Sequence, residues 1–282
     1  MPVAVVTDST ADLPPELCRE RGVTVVPLTV VIDGAAGHEG RDVTPEHVAG
    51  ALATRRATVS TSRPAPEEFR SEYRRLIADG ATGILSVHLS ANLSGTYDSA
   101  AHAAAELPVP SAVVDSRSTG MGLGFPVLAA AEAAAAGADL PRVEAAAVAA
   151  AERTTTLFYV DTLDFLRRGG RIGAASALLG TALSVKPILR MGNGAIVVRD
   201  RVRTATRALA RLVDLAVESA GDGPVDVAVH HLDAPERAAA LVAALTERLG
   251  ARLRERFVLQ IGAAVAAHTG PGLLSIVTHR RP

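Results

Sequence analysis

Strand-like and helix-like stretches alternate along the first 155 residues, and that alternation constrains the fold more than any other feature. "VAVVTDS" is a short β-branched run of the kind a buried strand needs. "DLPPELCRERG" follows as a helix, with Asp12 expected as N-cap and Gly22 as the C-terminal stop. "VTVVPLTVVIDG" reads as a strand running into a hairpin end, and "TPEHVAGAL" as a helix capped by Thr44. "TSRPAPEEFRSEYRRLIADG" reads as a loop and then an amphipathic helix that stops at Gly80. Strands at "GILSVHL" and "SAVVDS" then alternate with three Ala-rich helices. This is the pattern of a parallel α/β layer.

The texture changes near residue 155. "LFYVD", "AIVVRDRV", "VDVAVHH", "RFVLQIG" and "LLSIVTH" read as strands, with helices at 162–168, 204–220 and 234–250. A mixed sheet with two long helices is expected for 156–282, after a parallel α/β unit over 1–155. Residues 257–279 carry no charged side chain, a length that could span a bilayer. His, Gly and Pro stand in the middle of that run, so it reads as two buried strands around a turn, not as a membrane span.

Composition narrows the function. The net charge is -1, whereas a nucleic-acid partner favours a strongly basic face. The single cysteine, Cys18, excludes an intramolecular disulfide and fits a reducing compartment. "MPVAVVTDST" has neither the basic nor the apolar region of a signal peptide, so a cytoplasmic protein is expected. Lys186 is the one lysine, and the Ala/Arg richness reads as a general bias rather than a local signal.

Nucleotide fingerprints are missing. "TDSTADLPP" replaces a glycine loop after the first strand, and "GMGLGF" has the wrong glycine spacing for a dinucleotide site. No histidine spacing suits a metal, and His230 and His231 diverge if they lie on a strand. "NLSGT" is not a nucleophile elbow. A hydrolase pairing Ser94 with His268 has no third member in the sequence and stands as an alternative.

Three donor-rich turns remain: Thr61-Ser62, Ser94-Gly95-Thr96 and His268-Thr269. Taken singly, each has a plain structural job. Ser94 can cap a helix, Thr61 and Ser62 can form a turn before Pro64, and His268 can be a bonded core histidine. Taken together, and brought to one place, they would hold a small anion without a fixed cation. Each adjoins an apolar segment, and a carboxylate on an aliphatic tail fits that description.

The chain resembles the DegV family of fatty-acid-binding proteins over about residues 3–280. The resemblance is carried by "VTDSTADLP" (6–14), "TSRP" (61–64), "LSANLSGTYDSA" (89–100) and "VVDSRSTGMGLG" (113–124). "DTLDFLRRGGRIG" (161–173), "VKPIL" (185–189), "VRTATRAL" (202–209) and "AHTGPG" (267–272) continue it in the family's order. Ala91 departs from the pattern, where a second serine is common.

The resemblance implies a two-domain α/β fold: an N-terminal Rossmann-like parallel sheet with helices, and a C-terminal mixed α/β sheet domain. It implies a long-chain, hexadecanoate-like fatty acid between them and no cofactor. Thr61 and Ser94 would hold the carboxylate, with His268 beside it. It further implies that the protein is a carrier and not an enzyme. A partner ATP-dependent kinase, similar to dihydroxyacetone kinase, would phosphorylate the carboxylate and feed phospholipid synthesis. Arg171 and Arg203, inside the family-like "GGRIG" and "VRT" stretches, are expected to dock that kinase or steady the transferred phosphoryl group, since Arg makes forked contacts with phosphate. A lipid sensor or a carrier without a kinase is the remaining alternative.

Overall fold

The computed structural model describes residues 3–54, 57–178 and 185–282. The first half runs β1 (Val3–Asp8), α1 (Pro15–Arg21), β2 (Val23–Val26), β3 (Thr29–Ile32), β4 (Ala35–His38) and α2 (Pro45–Ala53). It continues β5 (Val59–Ser62), α3 (Pro66–Ala78), β6 (Gly83–His88), α4 (Thr96–Ala104), β7 (Ser111–Asp115), α5 (Met121–Ala135) and α6 (Leu140–Glu152). The second half holds β8 (Thr154–Tyr159), α7 (Asp164–Arg168), β9 (Lys186–Gly192), β10 (Ala195–Val202) and α8 (Ala205–Ala220). It closes with β11 (Val225–His231), α9 (Pro235–Leu249), β12 (Leu253–Gln260), α10 (Ala263–Thr269) and β13 (Leu274–Arg280).

β2, β1, β6 and β7 form a parallel four-stranded sheet in that order. Successive side chains of a strand point to opposite faces, and both faces here are covered. Val3, Val5, Leu85 and Val87 pack under α5 and α6. Val6 and Ile84 pack with Phe69 and Tyr73 of α3 and Ala100 of α4. The carboxyl ends of β1, β6 and β7 bring Asp8, His88 and Asp115 to one edge, where open α/β sheets take ligands.

The second half is a mixed sheet in the order β10-β9-β8-β13-β11-β12, with only β11 and β12 parallel. One face buries Leu157, Val229 and Ile276 against α8 and α9. On the opposite face Ala228 and Val277 meet Met121 and Phe125 of α5, while Leu123 and Val127 of the same helix meet the parallel sheet. One helix thus joins the two sheets. Among the described residues, no helix is long and apolar enough to cross a membrane.

The structure corrects four local expectations. "VTVVPLTVVIDG" is two strands of different sheets, because Pro27 has no N–H for the ladder and ends β2. β3 instead sits at the centre of a small antiparallel sheet, between β4 and β5. Its hairpin with β4 turns at Asp33-Gly34, both at positive φ, which suits a tight two-residue loop. Thr61 and Ser62 are therefore strand residues paired with Val30 and Thr29, not a turn. The uncharged 257–279 run contains a helix, α10, whose alanines favour that state. Asp12 does not cap α1. It ends a short 3-10 turn at φ 53, and its carboxylate accepts from the Gly262 N–H instead. β9, noted in the sequence only as the motif "VKPIL", is a full seven-residue strand.

Candidate functional site

A cavity open to solvent, with about 880 Å³ of empty space counting its open mouth, lies where the parallel sheet, the small antiparallel sheet and the mixed sheet meet. Much of its wall is apolar, including Leu28, Leu89, Leu93, Phe158, Leu166 and Met191. Thr61, Ser62, Arg63, Ser94, Arg171, His268 and Thr269 line it as well.

The hydroxyl-rich stretch after β6 splits into two jobs. The Ser90 hydroxyl donates to the Gly194 carbonyl at 2.6 Å, and Asn92 Nδ2 to the Asn193 carbonyl at 3.1 Å. These two residues tie the parallel sheet to the β9–β10 turn and do not face the cavity. Ser94 does. Its Oγ lies 2.9 Å from Thr96 Oγ1 and accepts from the Thr96 N–H at 3.3 Å. Thr96 is buried and, with Gly95, stands behind the lining. Gly95 is required by a close approach, because the Arg63 guanidinium occupies the place a Cβ would take.

β5 and α10 bring the other two sequence pairs together. Thr61 Oγ1 and His268 Nε2 are 2.8 Å apart. Burial first, then the Arg171 charge, lowers His268 to a pKa of about 4, so the ring is neutral near pH 7. Its Nδ1 has no partner among the described residues and presses on Gly169, where a Cβ would collide with it. Arg171 Nε donates to the Leu93 carbonyl at 3.0 Å, and its Nη1 to the Gly169 carbonyl.

The expectation of an anion site without a fixed cation is therefore corrected. Two guanidiniums, Arg63 and Arg171, border the cavity beside the hydroxyls. Arg63 belongs to the "TSRP" stretch, where nothing in the local pattern marks it as a cavity residue. Arg203 is elsewhere, exposed just before α8 and outside the cavity lining.

A further feature escaped the sequence reading. Glu39 Oε1 accepts from the Ala264 N–H at 2.7 Å, and Asp12 Oδ1 from the Gly262 N–H at 3.0 Å. Two buried carboxyls thus grip the start of the helix that carries His268. Burial, then the neighbouring Glu39 charge, raises the Asp12 pKa, and burial raises that of Glu39. The signal was faint, because Glu39 sits in an unremarkable loop between β4 and α2 and its partner is 225 residues away.

No hydrolase dyad forms. His268 pairs with Thr61, and Ser94 with Thr96. A Ser–His–Asp chain does exist, but elsewhere: Ser86 Oγ to His88 Nε2 at 2.7 Å, and His88 Nδ1 to Asp8 at 2.9 Å. All three are fully buried, and none lines the cavity. Among the described residues, no group of three or more His, Cys, Asp or Glu side chains could hold a metal.

Comparison with known proteins agrees with this architecture. A DegV domain-containing protein of Streptomyces coelicolor is 52% identical over 279 residues, covering 99% of each chain. A fatty-acid-binding DegV family protein of Thermus thermophilus has a solved structure that superposes with a TM-score of 0.94 at 35% identity, covering 100% of both chains. DegV of Bacillus subtilis, a fatty acid binding protein, superposes at 0.91 with 30% identity and 100% coverage of both. The family model described as "Uncharacterised protein, DegV family" matches residues 2–281, and the chain belongs to the DegV family.

Proposed function

We propose that the chain holds one long-chain fatty acid between its subdomains, 1–155 and 156–282, as a carrier in the cytoplasm. The carboxylate lies against Thr61, Ser62 and Ser94, with Gly95 and Thr96 shaping the turn behind them. His268 and Thr269 complete the cradle from α10, and Arg63 and Arg171 supply charge. The observation that carries this reading is the joining of donors and two guanidiniums to one largely apolar cavity. Burying a methylene is worth roughly 0.8 kcal/mol, so a dozen supply about 10 kcal/mol before the ordering costs of binding. The tail gives affinity and the head-group donors give orientation. The fatty-acid-binding relatives support the same ligand.

The carrier then offers the carboxylate to a partner ATP-dependent kinase resembling dihydroxyacetone kinase. A carboxylate oxygen attacks the γ-phosphorus of ATP held by that kinase, giving acyl phosphate and ADP. Exposed Ser62 and Arg63 at the cavity support access from outside. Arg203 belongs to the docking face in this scheme, and Arg171 steadies the transferred group.

Native mass spectrometry of the purified protein, followed by lipid extraction, tests the first part. One fatty acid per chain is expected. A lipid-free protein that also fails to bind added fatty acid overturns it, and turnover of an ester would favour the hydrolase. Arg203→Ala tests the second part. It should leave fatty-acid affinity unchanged and slow acyl-phosphate formation with the kinase. An unchanged rate removes Arg203 from the docking face.

A further inference from the structure

Away from Thr61 and Ser94, the same cavity meets a second polar patch. β11 and β13 pair antiparallel with His230 opposite Ser275, and both residues line the cavity. His230 is fully buried. Its Nε2 accepts from the Met121 N–H at 3.2 Å. Burial, then the adjacent His231, lowers its pKa to about 4, so the ring is neutral. A neutral imidazole that accepts at Nε2 carries its proton on Nδ1. That Nδ1–H is buried and has no partner among the described residues. Other hydroxyls of this region are engaged: Thr10 donates to Asp8 at 2.6 Å, and Thr156 pairs with Ser118 at 3.0 Å. A buried donor without an acceptor costs about 1–3 kcal/mol, so an oxygen brought to it is stabilised.

The place of this donor along the cavity follows from α10. Asp12 touches both the Gly262 N–H, at 3.0 Å, and His230 Nε2, at 3.8 Å. His230 therefore lies near the start of α10, while His268 lies near its end. Six helical steps run from Gly262 to His268, roughly 9 Å along the axis. The two polar patches thus lie toward opposite ends of α10, and both border one cavity.

We propose that His230 and Ser275 form a second subsite that takes an oxygen on the acyl chain, so that the preferred ligands include hydroxy or oxo fatty acids. The inference rests on the fatty-acid reading of the cavity. It commits to an acceptor oxygen because the His230 Nδ1–H can only donate.

The test compares octadecanoic acid with its isomers carrying one hydroxyl at successive carbons. Dissociation constants are measured for the wild type, His230→Phe and Ser275→Ala. One hydroxy isomer should bind the wild type about threefold to tenfold more tightly than the parent acid. Both substitutions should erase that preference, read in each protein as the ratio of hydroxy-acid to parent-acid affinity. Should the His230 variant fail to fold, Ser275→Ala decides alone. If the parent acid binds and no isomer is preferred, or the preference survives the substitutions, the subsite is overturned and the fatty-acid reading stands. If no acid binds, both fall.

Discussion

Thr61 Oγ1 and His268 Nε2 meet at 2.8 Å although 207 residues separate them in the chain. One comes from an edge strand of the small antiparallel sheet, the other from a two-turn helix beside the mixed sheet. Their meeting brings donors from both halves of the sequence to one cavity, and it makes the proposed head-group site sensitive to where α10 sits.

Removing a single donor at this site should be costly for acids and cheap for alcohols. A hydrogen bond to a charged group contributes about 1.5–3 kcal/mol, so Thr61→Ala or Ser94→Ala should each weaken fatty-acid binding roughly tenfold or more. Fatty alcohols of equal length should change far less. Titration with both ligand series is the measurement. Equal losses for acid and alcohol would mean a packing defect and not a lost carboxylate contact.

The clamp on α10 gives a second prediction. Glu39→Ala leaves the Ala264 N–H and the Ser9 hydroxyl without their acceptor in a buried place. An unsatisfied buried group costs about 1–3 kcal/mol, so unfolding by urea should come earlier by that amount and fatty-acid affinity should fall with it. Glu39→Gln keeps an acceptor oxygen for Ala264 and should restore most of both. A Gln variant as weak as the Ala variant would show that the charge, not the acceptor, positions α10.

Gly169 supplies a steric test of the same helix. A Cβ there would run into His268 Nδ1. Gly169→Ala should push the ring off Thr61 and reduce acid affinity severalfold while the fold, judged by circular dichroism, persists. Unchanged affinity would mean that the Thr61–His268 pairing does not serve the carboxylate.

Much of this was legible in local pattern. The parallel layer is legible in β-branched runs alternating with helices, and the mixed sheet with two long helices in the change of texture near residue 155. What was not legible depends on partners distant in sequence. Asp12 looked like an N-cap because Asp before Pro-rich turns commonly is one, but its true partner, Gly262, is 250 residues on. Ser90 and Asn92 share the polar stretch of Ser94, and only the β9–β10 turn they bond to separates their structural role from its place on the cavity. Arg63 went unnoticed as a cation because an arginine beside Pro is an ordinary surface residue until the fold lays it over Gly95.

Acidification should weaken the fold through the histidines whose pKa burial lowers, and His268 can be isolated. Its pKa is lowered from 6.5 to about 4, by burial first and the Arg171 charge second. Between those values the unfolded chain takes up a proton that the folded chain refuses. The contribution to stability is therefore complete above pH 6.5 and is lost as pH falls toward about 4. The slope is about 1.4 kcal/mol per pH unit for one such group. The raised carboxyls of Asp12 and Glu39 act in the opposite sense, since they hold protons in the folded state that the unfolded state gives up. Comparing wild type with His268→Gln removes that opposing part, because both proteins retain the two acids. Unfolding free energies measured by urea from pH 7 to pH 4 should fall less steeply in the variant, by up to that slope. Parallel curves would mean that the His268 ring takes up its proton equally in the folded and unfolded chains, so that burial beside Arg171 does not lower its pKa.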